Sequence, residues 1–348
     1  MLLATWFHGD TAELRGEYAQ MIGDSTSPKH WETYQNCVDL LLASARRWNA
    51  DVRLAVVLNP AAAEVLTEER RARWTASGAT VLVAENTHRV PPGFHGQWQN
   101  QFFVLDCLRA LAGVAEPRES VVLLDSDCLV TRPLDELDDV VQRHGRAFYP
   151  VAFPAEAVVN GLSRVDLATL AAELHGGCEE SELPYLGGEF FAFRADLLTE
   201  DLDRIDKAFA WTLDRAQAGL SRPNEEAQLI TVVVAPGLSG EEFVEKTIRR
   251  IWTQPWQLRN ADPADLDLAV WHVPAEKRTG LPRVHRAYLT ADSWFWTSSR
   301  EEWLERVGRL VGVPAYRPGK ALADARALAH RAVPGLRRRL AIRGPVYG

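Results

Sequence analysis

The run Val121-Val-Leu-Leu-Asp-Ser-Asp127 combines four apolar residues with two aspartates and is the strongest indication of the fold in this sequence. Its four apolar residues, two of them β-branched, predict a buried central strand. The strand delivers Asp125 and Asp127 to its carboxyl end, where open α/β sheets bind their ligands. In an extended chain these two carboxylates share one face, because side chains alternate with a period of two. Two hard oxygen donors on one face suit Mg²⁺ or Mn²⁺, which in turn bind phosphate oxygens.

The bulk composition narrows the class of protein. The 348 residues are 47% hydrophobic and 25% charged, which is ordinary for a globular protein. The net charge of −8 argues against a general nucleic-acid binder, and we expect no nucleic-acid partner. The four cysteines form no C-x-x-C pair, and no run approaches the roughly 20 apolar residues of a membrane span. The N-terminus lacks the apolar region of a signal peptide, so a cytoplasmic location is expected.

The first half of the chain alternates strand and helix patterns. Strands are predicted at 2–7, 52–58, 80–83 and 121–124, and helices at 31–48, 61–77 and 97–112. Such alternation implies an α/β fold with a mostly parallel, Rossmann-like sheet that is covered by helices on both faces.

The second half is less regular. Strands are predicted at 148–153 and 266–273, and helices at 163–175 and 202–218. Within 185–193, Gly187, Gly188 and Glu189 precede an apolar, aromatic strand. Asn224 has the chemistry of a helix N-cap. From residue 300 the chain is predicted to be helical and then basic, since residues 317–348 hold eight Arg or Lys and one acid. This tail fits either peripheral contact with an anionic membrane or a solvated, frayed end, and both interpretations stay open.

The segment from Val121 to Leu137 resembles the metal-binding segment of GT-A-fold glycosyltransferases, and it is similar in particular to glycosyltransferase family 8 and its relatives. Three later segments resemble the family in the same order: Tyr185–Phe193, Asn224–Leu229 and Val270–Lys277. The chain departs from the family at residues 187–189, which are Gly-Gly-Glu instead of Asn-Ala-Gly. The spacing from His272 to Lys277 is also one residue shorter than the usual pattern.

The resemblance implies both a domain organisation and an activity. It implies a GT-A domain over residues 1–299, with a nucleotide-binding half at 1–137 and a donor-sugar and acceptor half at 138–299. A helical, basic extension follows at 300–348. The implied reaction moves a sugar from a nucleotide diphosphate sugar, with a UDP-sugar favoured, to a hydroxyl group. The acceptor is a small molecule, a glycan or a lipid-linked sugar.

The resemblance also implies a metal site with three ligands, Asp125, Asp127 and His272, and places Lys277 at the diphosphate. The chemistry agrees, because a leaving diphosphate needs its growing charge stabilised by a divalent metal and a nearby cation. An imidazole ligand favours Mn²⁺ over Mg²⁺.

The remaining candidates belong to the sugar and the nucleotide. Glu189, Glu225 and Glu226 are the candidate catalytic groups. A carboxylate near the anomeric carbon either deprotonates the acceptor hydroxyl, giving inversion, or stabilises an oxocarbenium-like state, giving retention. Candidate nucleotide and donor contacts, besides Asp125 and Lys277, are Thr5, Phe7, Asp10, Asn100, Gly187 and Gly188.

Two alternative functions are compatible with parts of the pattern. Haloacid-dehalogenase-like phosphatases also carry Asp-x-Asp after an apolar strand, and Asp125 would then be the nucleophile. They have Thr or Val two residues after the second Asp, where this chain has Leu129, and no later Gly-Asp-x-x-x-Asp follows. The second alternative is a fold of the same kind that binds a sugar nucleotide without turnover.

Overall fold

The computed structural model describes residues 1–18, 21, 23–95, 99–177, 182–256 and 258–328. The strands are β1 (Leu2–Phe7), β2 (Arg53–Leu58), β3 (Ala79–Val83), β4 (Ser120–Leu124), β5 (Cys128–Val130), β6 (Arg146–Val151), β7 (Tyr185–Arg194), β8 (Ile248–Arg250) and β9 (Val270–His272). The helices are α1 (Pro28–Trp48), α2 (Pro60–Glu64), α3 (Glu68–Ala76), α4 (Phe103–Ala112), α5 (Asp135–His144), α6 (Arg164–His175), α7 (Ala195–Gln217), α8 (Glu226–Val234), α9 (Leu281–Tyr288), α10 (Trp294–Thr297) and α11 (Arg300–Val311). Short 3₁₀ helices lie at Gln99–Phe102, Pro263–Asp267 and Pro274–Glu276, and residues 318–328 are helical as well.

The central sheet has the strand order β3-β2-β1-β4-β7-β6. The four strands from β3 to β4 are parallel, whereas β7 runs antiparallel to both β4 and β6. The predicted fold class, an α/β fold with a mostly parallel sheet flanked by helices, is confirmed.

The central strand β4 is buried on both faces, as its apolar run predicts. Val121 and Leu123 belong to one apolar core, and Val122 and Leu124 belong to the core on the opposite face of the sheet. This alternation fixes the register of β4, because a shift by one residue would exchange the two faces. Asp125 therefore directly follows the last core residue of β4, Leu124.

A second, three-stranded sheet has the order β5-β9-β8 and joins distant parts of the sequence. Its strand β5 directly follows the two aspartates, whereas β8 and β9 come from the second half of the chain. A third apolar core lies beside this sheet and includes Leu129, Trp271 and Trp303. Because Trp303 on α11 is fully buried, the start of the C-terminal segment packs against the body. The predicted boundary at residue 299 stays a prediction.

Several predicted elements differ from the observed ones. The helix predicted over 61–77 is two helices, because Thr67 starts α3 by accepting a hydrogen bond from the backbone of Arg70. The helix predicted over 97–112 contains a 3₁₀ helix, Gln99–Phe102, before α4. The helix predicted over 202–218 already begins at Ala195.

The late part of the chain also differs from its prediction. The strand predicted over 266–273 is reduced to β9, because a 3₁₀ helix with a capping box from Asp262 takes up the residues before it. Asn224 is not the N-cap of α8; Glu225 occupies that position. Asn224 instead donates its side-chain amide to the carbonyl of Asn160 at 2.9 Å.

Within the described residues, no helix combines the length and the apolarity that a bilayer crossing requires. The basic tail beyond residue 328 lies outside the described residues, so its contact with a membrane stays a prediction.

Candidate active site

The pairing of β5 with β9 brings His272 to the two aspartates. The strands are antiparallel with Cys128 opposite His272, and the backbone N–H of Val273 donates to the carbonyl of Asp127 at 3.2 Å. The imidazole therefore lies next to the carboxylates that follow β4.

Asp125, Asp127 and His272 form a group with the geometry of a metal site. Nε2 of His272 lies 3.3 Å from Oδ2 of Asp127 and 3.8 Å from Oδ2 of Asp125. One donor atom from each residue lies within 4.8 Å of the others. Nε2 is buried and has no partner in hydrogen-bonding geometry within the part of the chain that the structure describes. A buried imidazole nitrogen that lies close to two carboxylates without a well-formed hydrogen bond fits a divalent cation of the Mn²⁺ type.

Lys277 completes the charged group. The 3₁₀ helix after β9 carries it back to the site, where its Nζ lies 2.5 Å from Oδ2 of Asp127. Burial alone would lower the pKa of Lys277, but the charge of Asp127 outweighs burial and raises it. A buried, permanently charged ammonium at this point can attract phosphate oxygens.

The ionisation of the group follows from its neighbours. Burial and the charge of Asp127 raise the pKa of Asp125. Burial also acts to raise the pKa of Asp127, but Lys277 and His272 together lower it. Burial acts to lower the pKa of His272, and Asp127 and Glu189 outweigh it and raise the pKa to about 9. A cation that binds Nε2 must therefore displace a proton, so metal binding is expected to weaken at low pH.

Glu189 faces the same histidine from its other side. Its backbone carbonyl accepts from the N–H of Asp125 at 3.0 Å, which extends the β4–β7 pairing. Its side chain is fully buried and lies 3.3 Å from Nδ1 of His272. Both carboxylate oxygens also accept from Arg250, at 2.8 and 2.5 Å. The predicted catalytic role of Glu189 stays a prediction, but its oxygens are already engaged.

Arg250 is a residue of the site that the sequence reasoning missed. It ends β8 and lies opposite His272 in the parallel pairing of β8 with β9. The only local signal is a pair of arginines, Arg249 and Arg250, between Ile248 and Ile251. The partner Glu189 is 61 positions away, and no local pattern joins the two.

Glu225 and Glu226 lie at the start of α8 and differ in their surroundings. Glu225 accepts from the hydroxyl of Tyr185 and from the side-chain amide of Asn160. Oε2 of Glu226 is buried without a hydrogen-bond partner among the described residues. Burial and the nearby charge of Glu225 raise the pKa of Glu226 well above its usual range. Glu226 is thus the carboxyl group of the site that is left to contact a ligand.

Gly187 and Gly188 make room for two of these carboxylates. A Cβ atom on Gly187 would lie 2.5 Å from Oε2 of Glu189. A Cβ atom on Gly188 would lie 2.3 Å from Oε1 of Glu226. The Gly-Gly-Glu sequence at residues 187–189 therefore has a local reason, since Gly187 leaves room for Glu189 and Gly188 leaves room for Glu226. Their predicted contacts with the donor sugar stay predictions.

The predicted nucleotide contacts separate into two groups. Phe7 lines the cleft. Thr5 is fully buried and donates to the carbonyl of Leu124 at 2.9 Å. Asp10 accepts from Asn100 at 2.7 Å, among other donors, so both side chains are engaged within the protein. The structure does not place Thr5, Asp10 or Asn100 among the residues that line the cleft.

One cleft is lined by the metal-type group of Asp125, Asp127 and His272 and by three glutamates, Glu189, Glu225 and Glu226. It is also lined by an aromatic wall, which we define as Trp6, Phe7 and Tyr34. The aromatic wall comes from β1 and α1, and the rings of Phe7 and Tyr34 are stacked with centroids 6.3 Å apart. Trp252 lines the cleft as well. One cleft thus combines aromatic side chains, a charged metal-type group and buried glutamates.

Comparison with solved structures found glycosyltransferases, the class that the sequence resemblance predicts. The galactosyltransferase LgtC, crystallised with donor and acceptor sugar analogs, matches with a TM-score of 0.49 and 14% identity, over 92% of this chain and 100% of that one. Mouse xyloside xylosyltransferase 1 matches with 0.43 and 11%, over 78% and 96%. The bifunctional glycosyltransferase WbbM matches with 0.45 and 11%, over 92% and 50%. At these identities the likeness concerns the fold alone, and family 8 stays a prediction.

No family model matches the chain, and no curated protein matches it at the sequence level.

Proposed function

We propose that the protein is a metal-dependent glycosyltransferase that moves a sugar from a nucleotide diphosphate sugar, with a UDP-sugar favoured, to a hydroxyl acceptor. The observation that carries this proposal is the group of Asp125, Asp127 and His272, with Lys277 beside it. The cleft that holds this group is also lined by the aromatic wall and by Glu225 and Glu226. A nucleotide diphosphate sugar needs partners for three parts: a planar base, a charged diphosphate and a sugar.

Asp125, Asp127 and His272 would hold the metal, Mn²⁺ or Mg²⁺. When bound, the metal stabilises negative charge on the leaving diphosphate. Lys277 adds a positive charge at the same place, and its burial strengthens the attraction because little water screens it.

Other residues of the cleft suit the other parts of the donor. The aromatic wall offers aromatic rings on which a planar base can stack. Glu225 is held by Tyr185 and Asn160, whereas Oε2 of Glu226 has no hydrogen-bond partner among the described residues. We assign Glu226 to the sugar or to the acceptor hydroxyl. Inversion with Glu226 as general base and retention with Glu226 as charge stabiliser both fit this position.

The experiment that tests the proposal is a screen of UDP- and GDP-sugars for Mn²⁺-dependent hydrolysis and transfer. The matched variants are Asp127→Asn, which removes a ligand charge, and Asp51→Asn, which changes an exposed acid. We expect turnover in the parent and in Asp51→Asn, and a loss in Asp127→Asn while its circular dichroism spectrum is unchanged. Full activity of Asp127→Asn would contradict the metal site.

The same samples separate the alternatives. Binding of a sugar nucleotide without turnover, seen as a thermal shift that needs Mn²⁺, would favour a binding protein. Hydrolysis of phosphomonoesters that is lost in Asp125→Asn would favour the phosphatase. No contact among the described residues specifically favours the phosphatase.

A further inference from the structure

We propose that Arg250 and Glu189 form a positioning relay that orients the His272 imidazole so that Nε2 faces the metal. This inference rests on the proposed function, because it concerns the same metal site. It assigns Glu189 to the support of a ligand and not to the reacting sugar.

The three residues of the relay lie on three different strands. Glu189 lies on β7, Arg250 on β8 and His272 on β9. Arg250 is directly opposite His272 in the parallel pairing, and Glu189 is tied by its carbonyl to the N–H of Asp125. The backbones that carry the relay are thus fixed by the same pairings that build the metal site.

The chemistry of the imidazole gives the relay its function. A carboxylate next to Nδ1 stabilises the tautomer in which Nδ1 carries the proton, so that the lone pair of Nε2 is free for a metal. Nδ1 of His272 lies 3.3 Å from Oε1 of Glu189. Its Nε2 points between Asp125 and Asp127 and has no hydrogen-bond partner among the described residues.

The contacts of Arg250 explain why Glu189 supports the metal ligand His272 but is not itself a metal ligand. The guanidinium donates Nε–H to Oε1 at 2.8 Å and Nη2–H to Oε2 at 2.5 Å, which is a bidentate pair. Both oxygens are therefore engaged by the guanidinium and would not be free to bind a cation. The pair also neutralises a fully buried carboxylate that would otherwise be costly to keep charged.

The test measures binding of Mn²⁺ alone to the full chain, from the electron paramagnetic resonance signal of free Mn²⁺. The variants are Glu189→Gln, Arg250→Met and the double variant. Asp127→Asn is the reference for a lost ligand. Asp201→Asn is the matched control, because it changes another buried carboxylate that accepts two hydrogen bonds from an arginine, Arg146, and it does not line the cleft. Urea unfolding of each variant establishes that it is folded.

We expect Glu189→Gln and Arg250→Met each to weaken Mn²⁺ binding about 10- to 100-fold, with Asp201→Asn within about twofold of the parent. The double variant should lose little more than either single variant, because both changes disable one relay. With Zn²⁺ bound, long-range ¹H–¹⁵N spectra should show the proton of His272 on Nδ1 in the parent protein.

The outcomes distinguish the relay from the proposed function. If the parent binds no Mn²⁺, or if Asp127→Asn binds it equally well, the metal site fails and the relay fails with it. If Asp127→Asn loses Mn²⁺ but Glu189→Gln and Arg250→Met bind it like the parent, only the relay is overturned. Strictly additive losses in the double variant overturn it too. If the variants do not fold, a Zn²⁺-bound parent whose His272 proton is on Nε2 overturns the relay by itself.

Discussion

The ammonium of Lys277 lies 2.5 Å from Oδ2 of Asp127, although 150 positions separate the two residues in the chain. Their proximity follows from the pairing of β5 with β9, which sets Cys128 opposite His272. Asp125 and Asp127 directly precede β5, His272 ends β9, and Lys277 follows β9. Predictions about the site therefore depend on the small sheet β5-β9-β8 as much as on the central one.

Mn²⁺ should stabilise the folded protein through His272. At 100 times its Kd, a ligand that binds only the folded state stabilises it by about 2.7 kcal/mol. We expect this stabilisation in the parent, its reversal by EDTA, and its loss in His272→Ala. The measurement is urea unfolding with and without Mn²⁺. His144→Ala on α5 is the control and should keep the full effect. An equal effect of Mn²⁺ on His272→Ala would place the metal elsewhere.

Gly188→Ala should slow transfer without affecting metal binding. The new Cβ would lie 2.3 Å from Oε1 of Glu226, so that this side chain must move. A displacement of about 1 Å in a reacting group costs on the order of 10²-fold in rate. Steady-state kinetics and Mn²⁺ titration check the two parts separately. Gly113→Ala, where a Cβ meets only ordinary contacts, should leave both unchanged. If Gly188→Ala turned over substrate at the rate of the parent, Glu226 would have no role in the reaction.

Lys320→Met should destabilise the protein strongly, although Lys320 lies outside the cleft. Its Nζ donates to Glu276 at 2.8 Å and to Asp324 at 2.7 Å, and all three side chains are buried. Removing one partner of a buried ion pair typically costs about 3–5 kcal/mol, because the remaining charges lose their compensation. Urea unfolding measures the loss. The control Lys207→Met changes an exposed lysine and should have little effect. A loss below about 1 kcal/mol would mean that the carboxylates find other partners.

The stability of the protein should depend on pH through His88. Burial acts to lower the pKa of His88, but hydrogen bonds to Asp106 and Asp206 outweigh burial and raise it above 6.5. The folded state therefore holds this proton more tightly than the unfolded state does. The resulting stabilisation is complete below about pH 6.5 and is lost as pH rises through the raised folded pKa.

The variant His88→Gln isolates this contribution. We expect it to be less stable than the parent at about pH 6, with a smaller difference at about pH 9, when unfolding is measured at both values. A stability difference for His88→Gln that is the same at both pH values would contradict the role of the His88 charge.

The sequence by itself determined the features that depend on local chemistry. The apolar run at 121–124 predicted a central strand, and alternating patterns predicted the parallel part of the sheet. The central strand and the parallel part of the sheet depend on which side chains are apolar and on the spacing at which they recur along the chain. Boundaries were less well predicted where a cap interrupts a favourable pattern, as Thr67 does between α2 and α3.

The candidate site was predictable in its parts and not in its connections. The tertiary structure decided that Glu189 is paired with Arg250, that Asp10 and Asn100 bond to each other, and that Thr5 bonds within the sheet. These outcomes depend on strand register and on hydrogen bonds between residues far apart in sequence. Hydrophobic period fixes which face a side chain takes, but not which distant partner lies opposite. The sequence thus determined that two aspartates end a buried strand, and only the fold decided which side chains surround them.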